Sequence, residues 1–97
     1  MERVEVESYA QDVNAWVVRT PGRKFPALVV QGDSFNGVFG LAQSILDRAR
    51  SCSCPDKELV GEAEELRDQL WARLTHYEDV LRASGFALPY SRKEWPR

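Results

Sequence analysis

Two short apolar runs flank Pro21-Gly22-Arg23-Lys24, and the second passes through Gly32-Asp33-Ser34 into a helical pattern. This strand–turn–strand–helix stretch, residues 13–46, constrains the fold more than any other. Trp16, Val17 and Val18, then Phe25, Leu28, Val29 and Val30, are the β-branched and aromatic types that suit a pleated surface. Proline presets φ at the first central position of a turn and glycine supplies φ > 0 at the next, so Pro21-Gly22 predicts a type II turn. With Thr20 opposite Phe25, Val18 faces Ala27, Val17 faces Leu28 and Trp16 faces Val29. Both faces are then apolar, as expected of strands inside a sheet. Pro26 has no amide hydrogen and belongs near the strand end, with its nitrogen on an unpaired side. Gly32 should end the strand, and Asp33 or Ser34 should cap the helix that follows.

At the N-terminus, Glu2-Arg3-Val4-Glu5-Val6-Glu7 alternates with period two, which predicts a strand over about residues 2–8 with Val4 and Val6 inward. Charges along its other face suit a sheet edge. Tyr9 to Asn14 reads as the connecting turn. The expected fold class is α+β: a three-stranded antiparallel meander, strands about 2–8, 14–20 and 25–31, followed by two helices. The first helix, about 34–50, aligns Phe35, Val38, Phe39, Ala42, Ile45, Leu46 and Ala49 on one side, expected to cover a sheet face. Gly37, Gly40, Ser44 and Ser51 share the opposite side. Glycine within a helix costs about 1 kcal/mol relative to alanine. Either the apolar stripe tolerates that cost, or the glycines give a smooth surface for a partner backbone.

The second helix, about 56–84, starts at Asp56 and carries Leu59, Ala63, Leu66, Leu70, Leu74, Tyr77 and Leu81 at spacings of three and four. Glu58, Glu64, Glu65, Asp68 and Asp79 take the other face. Gly85 fits a left-handed stop with Phe86 packing back on Leu81, and Pro89 prevents resumption. Such a helix would be about 42 Å long, longer than a three-stranded sheet needs, so its far end should pack on the first helix or on a second copy. Trp71 stands at the edge of the stripe, either as a half-buried core residue or as an interface anchor. The tail, 86–97, reads as an arm laid over the fold, with Trp95 covering a gap.

Ninety-seven residues, 43% hydrophobic and 29% charged, fit one domain, 1–97, of an ordinary globule. No apolar run reaches the length of a membrane span, and the start lacks the apolar core of a signal peptide, so a cytoplasmic location is expected. Charge is uneven: residues 55–84 hold four basic and eight acidic side chains, and residues 85–97 hold three basic and one acidic. Cys52 and Cys54 are separated by one residue, a spacing poor for a mutual disulfide and for structural zinc. They read as exposed loop thiols, with metal shared across a dimer as a remote alternative. His76, the single histidine, falls on the polar helix face with no nucleophile at a supporting spacing. No phosphate-loop or dinucleotide motif is present. No enzyme, metal or cofactor is expected.

Val17-Val18-Arg19-Thr20-Pro21-Gly22-Arg23-Lys24-Phe25-Pro26 followed by Val29-Val30-Gln31-Gly32-Asp33-Ser34 resembles a family of small uncharacterised bacterial proteins over about residues 2–50. More loosely, the strand into Gly32-Asp33-Ser34-Phe35, with Val38, Phe39 and Ala42 behind it, is similar to HicB-type antitoxins. That resemblance implies a sheet-and-helix core that neutralises a small RNA-cleaving toxin, often beside a DNA-binding segment. This chain departs from it in its tight Pro-Gly hairpin and in a long acidic helix where a DNA-binding motif would stand. The leading expectation is therefore a non-enzymatic bacterial protein-binding module, immunity- or antitoxin-like, that masks a protein partner or forms a homodimer. Its candidate contacts are Trp71, Glu64 and Asp68 on the second helix and Gly37 and Gly40 on the first. The alternative is a regulatory nucleic-acid binder using Arg19, Arg23, Lys24 and the basic tail, with binding that weakens steeply in salt.

Overall fold

The computed structural model describes residues 1–11 and 15–91, and for Ala15 the backbone alone. Its elements are β1 (Glu7–Ala10), β2 (Ala15–Arg19), β3 (Ala27–Val30), α1 (Gly32–Ser51) and α2 (Lys57–Ala83). The chain divides into two compact units, Met1–Gln31 and Gly32–Arg97. No helix among the described residues is long and apolar enough to cross a membrane.

In the first unit the strands form an antiparallel meander in the order β1-β2-β3. The hairpin has the register expected of it: Val18 opposite Ala27, Val17 opposite Leu28, Trp16 opposite Val29, with Ala15 opposite Val30. Its turn is closed by the Arg23 amide donating to the Thr20 carbonyl at 3.2 Å. Gly22 sits at φ +77, the left-handed value that the second central position of a type II turn requires.

Two strand expectations are corrected. The first strand covers Glu7–Ala10 rather than 2–8, and Val4 and Val6 are exposed outside it. Its partner decides this. Glu7 pairs with Arg19, the last residue of β2, after which Thr20-Pro21 turns the chain away, so residues 2–6 have no strand to lie against among the described residues. β3 is not interior. It forms the second edge of the sheet, with Leu28 62%, Val29 45% and Val30 40% exposed. Val18 is the buried apolar side chain of the central strand.

In the second unit α1 and α2 pack antiparallel, with residue numbers rising along one as they fall along the other. Gly32 lies against Tyr77, Phe39 against Trp71 with ring centroids 5.0 Å apart, Gln43 against Arg67, and Arg50 against Glu64. Buried Ala42, Leu46 and Ala49 of α1, and Ala63 and Leu74 of α2, complete this core. Gly32, read as the strand end, is the first helical residue and is buried, because the Tyr77 ring occupies the place of a Cβ there. The Asp33 carboxylate accepts from the Ser34 amide at 2.9 Å within that first turn.

The apolar stripes are narrower than their sequence patterns. Val38 and Ile45 of α1 are exposed together with Leu41, and Leu59 and Leu66 of α2 are exposed. The α2 seam runs through Ala63, Arg67, Leu74 and Glu78, and at 100° per residue Leu59 and Leu66 stand about 70° and 90° from its centre. The ends of α2 are as expected. Asp56 accepts from the Glu58 and Leu59 amides at 3.0 and 3.2 Å. Gly85 at φ +82 allows Phe86 to donate to Leu81 at 2.9 Å and Gly85 to Arg82 at 3.1 Å, the Schellman pattern, although the Phe86 side chain stays exposed.

Candidate functional site

A heptad-like seam leaves the far side of α2 to solvent, and this far side is the candidate site. Residues three, four, seven, eight and eleven positions after Glu58 return to one face. Glu58, Gly61, Glu62, Glu65, Leu66 and Gln69 accordingly line one open depression. Gly61 forms its floor: a Cβ added there would have no neighbour within 4 Å. Leu66 leaves half its surface in water between the carboxylates. The Gln69 side-chain amide donates to Glu65 at 2.9 Å, and Arg73, a turn further on, donates to the Gln69 carbonyl at 3.0 Å. Three carboxylates thus stand round an apolar centre in an otherwise open hollow.

The other carboxylates of α2 are engaged within the chain. Glu64, expected as a partner contact, is half-buried and lies 3.3 Å from Arg50, joining α2 to the end of α1. Asp68, also expected there, is exposed and lies 2.8 Å from Arg67 Nε. Asp79 lies 3.5 Å from Arg82 one turn on. Trp71, also expected as a partner contact, faces the Phe39 ring and is half-buried. Gly37 is exposed, and a Cβ added there would meet no described atom within 4 Å beyond its own stretch of helix; Gly40 is half-buried. His76 is exposed.

Between the helices lies a polar tier that hydrophobic patterning gives no hint of. Gln43, fully buried, donates to Asp47 at 3.0 Å and accepts from Arg67 at 3.2 Å. About three turns along α2 from Arg67, Glu78 is buried and accepts from the Tyr90 hydroxyl at 2.8 Å, which lays the start of the tail against α2. Trp95 and the basic residues from Arg92 onward lie outside the described residues. Buried polar pairs of this kind fix register between elements.

On the sheet, Arg19 Nη2 contacts both Glu7 carboxylate oxygens at 2.5 and 2.6 Å, and the Tyr9 hydroxyl donates to the same carboxylate at 2.9 Å. The Arg19 guanidinium, then Tyr9, holds the Glu7 carboxyl below its usual range, and bonding to Glu7 pushes the Tyr9 hydroxyl up. Arg19 is therefore committed to Glu7, leaving Arg23 and Lys24 as exposed cations at the turn, with Lys24 Nζ 5.4 Å from the Phe25 ring centre. Cys52 and Cys54 are free and exposed in the loop between the helices. Among the described residues, no three His, Cys, Asp or Glu side chains gather as a metal site would need.

A three-stranded antiparallel sheet followed by an antiparallel helix pair, with an acidic outer helix face, defines an α+β chain. It belongs to a family of unknown function (DUF6959), whose model matches residues 1–90. No curated protein and no solved structure matches it.

Proposed function

We propose that this chain is a non-enzymatic protein-binding module that masks a basic protein partner, in the manner of an immunity protein or antitoxin. The observation that carries this reading is the hollow on α2, where Glu58, Glu62 and Glu65 surround exposed Leu66. An apolar centre with a charged rim is the anatomy of a protein interface: the centre supplies desolvation and the rim supplies orientation and rate. The sign of the rim selects a basic surface. Residues 55–84, which hold eight acidic against four basic side chains, reinforce that selection at longer range. The antitoxin-like reading of the sheet and first helix belongs to this proposal, and the bacterial setting comes with it.

The test is affinity capture from lysate of the source organism, comparing the natural chain with a Glu62→Lys, Glu65→Lys variant. Both positions are exposed, so circular dichroism should be unchanged. A stoichiometric basic protein held by the natural chain and released by the variant supports masking through this face. Equal capture by both moves the partner elsewhere, and recovery of nucleic acid alone refutes the reading.

A further inference from the structure

We propose that Cys52 and Cys54 form a reversible redox pair, closed into a disulfide by exchange with a small-molecule disulfide of the glutathione type and reopened by thiols. This goes beyond the masking role and uses no residue of the α2 hollow.

Cysteine is among the most buried residue types, and a cysteine that packs nowhere is explained by its reactivity rather than by its volume. Both cysteines of the chain are exposed and free, and both lie in the linker 52–56 between α1 and α2. Accessible thiols beside a resolving cysteine are the form that redox-responsive sites take. Neither cysteine holds a helix end. The last turn of α1 carries the bond from the Ser51 hydroxyl to the Asp47 carbonyl at 2.7 Å, and the Asp56 side chain caps α2. The linker can therefore change its covalent state while both helices keep their hydrogen bonds. The nearness of the two thiols is fixed by the linker alone.

Cα atoms two positions apart are at most about 7 Å from each other in extended chain, and this chain bends at Cys52, Ser53 and Cys54 in succession. A bend shortens the span into the range, about 4.4–6.8 Å, that a disulfide bridges. The ring so closed holds one residue between the cysteines and is tighter than an unstrained disulfide prefers, which makes the bond readily reducible. The spacing that argues against a permanent cross-link is thus the spacing of a labile one. In the first step one cysteine thiolate attacks a sulfur of the small disulfide, whose S–S bond breaks to release one small thiolate. In the second the other cysteine thiolate attacks the protein-side sulfur of the mixed disulfide and expels the second small thiolate. The two protein thiols give up two electrons to the small disulfide, and their two protons end on the two small thiols released. The second attack is intramolecular, at an effective concentration of about millimolar, so closure outruns pairing between chains.

The test treats the full chain, reduced and at micromolar concentration, with glutathione disulfide, and reads intact mass without reductant together with thiol titration. The natural chain should stay a monomer, lose the mass of two hydrogens, keep no glutathione and titrate no thiol. Because the chain has two cysteines, that product is the Cys52–Cys54 disulfide and no other. Excess reduced glutathione should restore both thiols, and helix content by circular dichroism should be the same in both states. Cys52→Ser and Cys54→Ser should each stop at a stable mixed disulfide with one glutathione, since neither retains the second thiol. A natural chain that keeps both thiols, still carries glutathione at the end point, links to a second copy, loses helix on closing, or resists reopening overturns the proposal. No partner protein is needed, so these outcomes are separate from those of the masking test.

Discussion

At the scale of single residues, Gly32 and Trp71 carry the most specific expectations. Gly32 is required by space rather than by φ, since the Tyr77 ring stands where its Cβ would be. Gly32→Ala should force the ring or the helix aside and cost about 1–3 kcal/mol, read as a lower midpoint of urea unfolding. A small residue between strand and helix is visible in the sequence, but the ring that makes it necessary arrives from 45 positions later. Trp71→Ala removes the ring packed on Phe39 and should cost about 2 kcal/mol or more of stability, with no separate effect on partner capture once folding is accounted for. Glu7 supplies a pH dependence. Its carboxyl is depressed in the folded chain by Arg19 and then Tyr9, so its stabilising contribution is present above the ordinary carboxylate range. That contribution is lost as pH falls through the depressed value. Acid unfolding of Glu7→Gln should therefore converge on that of the natural chain at low pH, and added salt should shrink the difference near neutrality.

At the scale of elements, the hairpin was legible and the helix seam was not. Pro21-Gly22 sets the turn, the turn sets the register, and the strand residues leave little choice of face, so the expected pairs Val18–Ala27, Val17–Leu28 and Trp16–Val29 are found. The first strand misleads because its alternation describes residues 2–7 alone, while the extent of a strand is set by its partner, and β2 stops at Arg19. In α2, leucine spacing gives Leu59 and Leu66 the same weight as Leu74, yet Arg67 and Glu78 occupy the seam. A periodicity of apolar residues cannot see an arginine whose partner is a glutamine on another helix. The pair also makes an expectation. Arg67→Ala should cost about 1–3 kcal/mol by leaving Gln43 buried and underbonded, whereas Arg67→Met combined with Gln43→Leu should be near neutral or stabilising. Thermal unfolding of both variants separates a tier that adds stability from one that fixes helix register. The site was half legible for a similar reason. Glu58 and Glu65 fall on the polar face in any helical projection. That Glu64 and Asp68 are drawn off by Arg50 and Arg67, leaving Glu58, Glu62 and Glu65 around Leu66, depends on where those arginines lie in space.

At the scale of the molecule, a net charge of −2 conceals a division of labour. Cations on the sheet are few, and Arg19 is held by Glu7, so the field is dominated by the acidic outer face of α2. Each unit leaves apolar side chains in water beside polar ones: Leu28, Val29 and Val30 on β3, Leu66 on α2. Scattered exposed apolar residues are ordinary, but a rimmed hollow is the form that marks association. The central claim is that the α2 hollow masks a basic protein. The most direct measurement is light scattering of the complex purified on the natural chain, repeated across a salt series and with the Glu62→Lys, Glu65→Lys variant. A single mass containing both proteins in whole-number ratio, dissociating as salt rises and absent with the variant, is the expected result. A mass of this chain alone, or a complex that neither salt nor the charge reversal disturbs, contradicts it.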